Sequence, residues 1–218
     1  MERKDRPEEP VEGAAADASG EAEPGTVRPG GRTARVRAAV LEAAGDVLAA
    51  EGFHRLDLAE VARRADVGKT TVYRRWGTVA GLVADLLTDM AEQSLPRSDT
   101  GSLLGDLREN ALLVRRTLAD PRQGPLFKAV IAAAAGDERT AEALHRFYEV
   151  RVAQWAPCVR EAAERGEVPA GTDAAEVIRA VSAPLYYRLL TTGAPLDEAC
   201  AHRAARAAYE AARAGAFA

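Results

Sequence analysis

The chain has 218 residues, a formal net charge of −4 and only 5% aromatic residues. It is long enough to bury a core without disulfide or metal staples, and its weight of alanine and leucine favours helix. The acidic balance excludes indiscriminate nucleic-acid binding. No apolar run reaches the length needed to span a bilayer, and the N-terminus lacks the order of a signal peptide, so no membrane partner and a cytoplasmic location are expected.

Residues 1–31 carry four Lys/Arg and eight Asp/Glu, with many Pro, Gly and Ala and no apolar period. Such a segment cannot bury enough surface to offset the entropy of ordering and is expected to be a disordered tail. Only Arg28 and Arg32 would suit it to act as a DNA arm. From Thr33 to Glu51, Val36, Val40, Ala43, Ala44, Val47 and Leu48 recur with helical period. Arg35 and Arg37 stand at the start of this helix, where positive charge opposes the helix dipole. Phosphate contact would give them a reason to be there; plain surface arginines are the alternative.

Residues 57–76 are the most informative stretch. Asp57 is a good N-cap, with Glu60 three positions later as in a capping box. Leu58, Val61, Ala62 and Ala65 give a short helix one apolar stripe, and Asp66 stands where it must stop, being one of the few residues that tolerate a left-handed turn. Gly68 can cap a second helix, Lys69 to Trp76, with Val72 and Trp76 on one face. Lys69, Thr70, Thr71, Tyr73, Arg74 and Arg75 occupy the other. Short helix, tight turn and a helix with a basic, hydroxyl-rich face form what a helix-turn-helix needs to enter a major groove. Residues 33–79 hold eight Lys/Arg against six acids, a locally basic segment in an acidic chain. Gly68-Lys69-Thr70 resembles the end of a P-loop, but the upstream glycine would fall at Arg63 and no strand precedes it.

The rest reads as helix. Thr78 caps a fourth one, with Leu82, Val83, Leu86, Leu87 and Met90, to about Ser94; Gly81 in its first turn costs roughly 1 kcal/mol against alanine and should loosen that turn. Ser102 to Ala119 follows, with Asn110 toward its apolar face. Pro121 and Gly124-Pro125 are expected to break the chain before a short apolar helix, Leu126 to Ala135. A long helix opens at Asp137 or Glu138 and ends near Arg165, its buried stripe being Leu144, Phe147, Tyr148, Arg151, Trp155 and Val159. Asp173 opens an eighth, running to about Thr192 with an expected kink at Pro184, and Asp197 an alanine-rich ninth. Small residues such as Ala204 and Ala208 let another helix approach closely.

Little else carries chemistry. His54, His145 and His202 are scattered, and no HExxH, GxSxG or glycine-rich nucleotide motif is present. No enzyme, cofactor or metal site is expected. Cys158 and Cys200 lack CxxC partners and read as buried thiols rather than a disulfide or a redox sensor. Phe127, Tyr148, Trp155, Tyr186 and Tyr187 gather after the fourth helix, with Asn110, Arg151 and Arg188 on nearby faces; they either fill a core or line a cavity.

The run VGKTTVYRRW, together with the Gly52-Phe53 step and the layout from Arg37 to Met90, resembles TetR-type helix-turn-helix transcriptional regulators. The resemblance implies an all-α fold of about nine helices. A three-helix DNA-binding domain (residues 32–92) joins through the fourth helix to a ligand-binding and dimerisation domain (residues 93–218). Thr70, Thr71 and Arg74 would read base edges, while Lys69, Tyr73, Arg75, Arg35 and Arg37 would meet backbone phosphates of double-stranded operator DNA. The implied partner is a second copy of the chain, paired through the eighth and ninth helices. A small-molecule effector is implied too, with Asn110, Phe127, Tyr148, Arg151, Trp155 and Tyr187 as its candidate pocket. The alternatives are a ligand-independent regulator with a filled core, or a helical binding protein or enzyme. Two departures from the family pattern stand out: Asp66 replaces the usual turn glycine, and Val79 replaces a lysine often used on phosphate.

Overall fold

The computed structural model describes residues 29–218, so the reading of residues 1–28 as a disordered tail or DNA arm lies outside it. The described residues form helices and no strand: α1 (Pro29–Glu51), α2 (Leu58–Arg64), α3 (Lys69–Trp76), α4 (Val79–Glu92), α5 (Leu103–Ala119), α6 (Gln123–Ala134), α7 (Glu138–Glu164), α8 (Ala174–Tyr187) and α9 (Glu198–Arg213). A 3₁₀ turn, Phe53–Arg55, follows α1, and a π-helical turn, Arg188–Thr192, follows α8. α1 to α3 form a small unit that α4 continues into a bundle of α5 to α9.

Most starts obey local chemistry. Asp57 Oδ1 accepts the N–H groups of Ala59 and Glu60 at 2.8 and 3.1 Å. Thr78, Ser102, Asp137, Asp173 and Asp197 cap α4, α5, α7, α8 and α9 in the same manner. The box at Asp57 is only half made, because Glu60 turns outward to Arg63 and Arg64. Asp66 adopts φ 52°, and the amide N–H groups of Val67 and Asp66 donate to the carbonyls of Ala62 and Arg63, the double hydrogen bond of a Schellman stop. Aspartate thus takes the left-handed position without glycine.

Two boundaries differ from expectation. α1 starts a turn before Thr33, through Gly30 and Gly31. Extending a formed helix costs far less than nucleating one, and Arg35 Nε donates to the Gly31 carbonyl at 3.1 Å. α6 begins at Gln123 and takes Gly124 and Pro125 into its first turn instead of breaking there. Asp120 Oδ1 accepts the N–H groups of Arg122 and Gln123, and a proline in the first turn forfeits no intrahelical bond. α8 passes Pro184 and widens into the π-helical turn only afterwards.

Gly81 is not a loose point. A Cβ there would lie 2.4 Å from the Trp76 carbonyl oxygen, so glycine lets α4 sit directly against the end of α3. Nor do Ala204 and Ala208 face a partner: both are buried within the chain, where α9 packs on α5 and α8. The alanine stripe serves close packing inside the bundle, leaving α9 a charged outer face of Arg203, Arg206 and Glu210.

α1 also packs on α6, a second junction between the small unit and the bundle. Arg122 lies over Gly45 there, donating to Asp46 at 2.6 Å and to the Glu42 carbonyl at 2.9 Å.

Candidate nucleic-acid interface and internal cavity

On α3 the apolar spacing buries Val72 and Trp76, which fixes the direction of everything else. Lys69, Thr70, Tyr73, Arg74 and Arg75 project into solvent, with Thr71 half-buried. Tyr73 is 47% exposed, which for a large aromatic ring signals a role outside the core. Arg75 lies over the Trp76 ring, 5.2 Å from its centroid. On α2, by contrast, Glu60 neutralises Arg63 and Arg64, and Glu51 of α1 also pairs with Arg64. Their bonds pull the Glu60 carboxyl down to about 2. No carboxylate pairs with Lys69, Arg74 or Arg75 among the described residues, and these three cations carry the charge of the α3 face.

Arg35 is exposed at the start of α1, but Arg37 is not available for phosphate. Its guanidinium turns inward to α4, to Asp85 at 2.8 Å and Asp89 at 2.5 Å. Trp76 Nε1 donates to the second Asp85 oxygen at 2.9 Å. Burial opposes ionisation of Asp85, yet the hydrogen bonds from Arg37 and Trp76 hold its carboxyl below the usual value. Two carboxylates one turn apart on α4, facing α1, make a bidentate arginine site that screened phosphate contact does not match. The one-turn spacing of Asp85 and Asp89 on the largely apolar α4 was the available signal in the sequence.

Asp89 continues the chain, accepting from Gln93 Nε2 at 2.6 Å. Asp89 and Gln93 line the cavity of the bundle, a space of about 540 Å³. The hydrogen bonds Gln93–Asp89–Arg37–Asp85–Trp76 therefore run from the cavity wall to the end of the α3 helix.

Five expected pocket residues, Asn110, Phe127, Tyr148, Arg151 and Trp155, line this one cavity. Tyr187 does not: it is 63% exposed on the outer face of α8. The adjacent Tyr186 points inward in its place, at the end of a row with Ile178 and Ser182 at every fourth position. Adjacent helix positions diverge by about 100°, so the two tyrosines cannot share a face. The aromatic lining interlocks, with ring centroids 5.4 Å apart for Phe127–Phe147, 5.3 Å for Phe147–Tyr148 and 5.4 Å for Tyr148–Tyr186. Three polar atoms of the lining, Asn110 Oδ1, the Tyr148 hydroxyl and Trp155 Nε1, are buried with no hydrogen-bond partner of good geometry, the Tyr148 hydroxyl having only that of Tyr186 near it. Orphaned buried polar groups are uncommon and costly in a finished core. Burial also raises the Tyr148 phenol and pushes the Cys158 thiol up to about 12, which makes that cysteine a poor nucleophile.

A capped short helix, a left-handed turn and a basic helix, set on a helical bundle with a cavity open to solvent at one side, define a helix-turn-helix regulator. Residues 40–86 match the bacterial regulatory proteins of the tetR family, and residues 97–208 match the tetracyclin repressor-like C-terminal domain. The chain belongs to the TetR family and is a DNA-binding transcriptional regulator. It is 33% identical to the HTH-type transcriptional regulator YdeS of Bacillus subtilis (strain 168) over 161 residues, 73% of this chain and 81% of that one. It is also 33% identical to the DNA-binding transcriptional repressor TetR of Mycobacteroides abscessus over 165 residues, 74% of this chain and 85% of that one. Among solved structures, TetR family transcription regulator SCO0332 superposes with a TM-score of 0.65 at 29% identity, covering 81% of this chain and 97% of that one. No helix among the described residues is long and apolar enough to cross a membrane.

Proposed function

We propose that the protein is a dimeric repressor, released from its operator by a small molecule bound in the bundle cavity. One observation carries this reading: a cavity of about 540 Å³ with orphaned polar atoms, within the usual size of small-molecule sites. A filled core, which a ligand-independent regulator would have, leaves no such space. Repression accords with the printed function of the M. abscessus relative. The DNA-binding unit is residues 32–92 and the sensing unit residues 93–218, acting in the cytoplasm by binding rather than catalysis.

Thr70, Thr71 and Arg74 reach base edges, while Lys69, Tyr73, Arg75 and Arg35 meet phosphates. Two copies pair through α8 and α9. On α8 the outer face offers exposed Ala183, Pro184, Tyr187 and Leu190, an apolar patch suited to a two-fold contact. A ligand acts by displacing α4, whose Leu86 and Met90 border the cavity and whose Asp85 and Asp89 hold Arg37 and Trp76.

Selection of bound duplexes from a random library tests the reading. The expected product is a palindrome with half-sites spaced for a two-fold dimer, bound with strong salt dependence. Recovery of no enriched sequence would refute it.

A further inference from the structure

The polar groups of the cavity restrict what it can hold; the argument rests on the ligand-responsive reading above. On α7, Tyr148, Arg151 and Trp155 share the cavity-facing stripe. Arg151 donates to Gln154, a neutral partner, and no carboxylate lies within ion-pair reach of it among the described residues. Arg151 is half-buried, and that burial lowers its guanidinium from the ordinary arginine value, as expected of a partly covered cation with no counter-charge.

The other charged groups of the wall are accounted for. Asp89 is held by Arg37 and Gln93, and Arg122 by Asp46. Glu42 is exposed, where water and salt screen its charge. Beside Arg151, the Tyr148 hydroxyl and the Trp155 indole N–H both lack partners of good geometry, and an indole can only donate. Asn110 can present either end of its amide. The surroundings, including Leu113, Val114, Leu126 and Phe127, are apolar. Such a site is short of acceptors and of negative charge.

We propose that the cavity takes an amphipathic organic anion. Its acidic group sits against Arg151 and accepts from Tyr148; its apolar body fills the space between α4, α5 and α6, where Trp155 and Asn110 meet a second polar atom. A neutral ligand of the same shape would cover the half-buried Arg151 without giving it a counter-charge, so the acid group decides specificity.

The test uses two probes with one skeleton, 8-anilinonaphthalene-1-sulfonate and N-phenyl-1-naphthylamine, which differ by the sulfonate. Each is titrated into the full-length protein, following probe emission excited through tryptophan. The anion is expected to bind at least about tenfold more tightly than the amine, the scale of one charge-assisted hydrogen bond. Arg151→Met should bring the two affinities together, and Arg151→Lys should keep part of the difference. Arg151→Gln replaces the Met variant if circular dichroism shows that one unfolded. Val114→Trp, which narrows the cavity, should expel both probes. Equal or tighter binding of the amine, or a preference untouched at Arg151, overturns the anion assignment and leaves the cavity reading standing. Failure of both probes to bind, or their persistence in Val114→Trp, removes the cavity as a ligand site and the proposal with it.

Discussion

Gly81→Ala separates local propensity from tertiary packing. Alanine in a helix interior is worth about 1 kcal/mol more than glycine, and by that rule the variant is more stable. The structure opposes this, because the added Cβ would lie 2.4 Å from the Trp76 carbonyl oxygen, a backbone atom that cannot swing aside. That carbonyl also accepts the Thr78 N–H at 2.7 Å, and this bond shapes the turn into α4. Reaching ordinary contact requires a separation of about 1 Å between the end of α3 and the start of α4. Overpacking of this kind costs roughly 1–3 kcal/mol, so the net effect is destabilisation by about 1 kcal/mol. For a chain of this length the melting temperature then falls by about 2–4 °C. The same displacement tilts α3, and each base contact put out of line costs roughly 1–3 kcal/mol. Operator affinity should therefore drop at least about tenfold, measured by fluorescence anisotropy on the selected duplex, with melting followed by circular dichroism. A variant that melts higher and binds unchanged would refute the close contact and restore the propensity argument.

Arg74→Ala should relax sequence preference and cost roughly 1–3 kcal/mol, whereas Tyr73→Phe should weaken all duplexes alike. Competition between operator and scrambled DNA reads both, and equal losses for Arg74→Ala on the two would reassign that side chain to phosphate. Tyr187→Glu, on the exposed outer face of α8, should yield folded monomers in sedimentation. Ala208→Glu, which buries a charge between α9 and its neighbours, should instead lose helical content; the opposite pattern would move the interface to the alanine face. Asp85 is more acidic folded than unfolded, so the unfolded chain protonates first as pH falls. Its stabilising contribution is complete above about pH 5 and is lost through and below the unfolded value near 4. Melting temperatures between pH 6 and 3 should fall less steeply for Asp85→Asn than for the natural chain, and parallel curves would disprove the assignment.

Some of the site was plain in the letters because its causes are local. The recognition face follows from Val72 and Trp76 lying four apart, which points Lys69, Tyr73 and Arg74 outward whatever else packs nearby. For Arg37 the local cue is its place at a helix start, but the partners that hold it lie 48 and 52 residues away. Tyr186 and Tyr187 are chemically alike and adjacent, so composition could not choose between them. Only the packing of α8 on α7 turns one ring into the cavity and leaves the other in solvent.

The sequence by itself determined most of the helix caps, the left-handed turn at Asp66, and the outward basic face of α3. Each depends on hydrogen bonds and side-chain spacing within about one helical turn. Tertiary structure alone decided that Gly81 is a point of contact, that Ala204 and Ala208 pack inward, and that Arg37 locks α1 to α4. It also decided that the aromatic residues leave a cavity instead of closing it. Those outcomes depend on which surfaces meet across tens of residues, and no local preference encodes the distance between two helices.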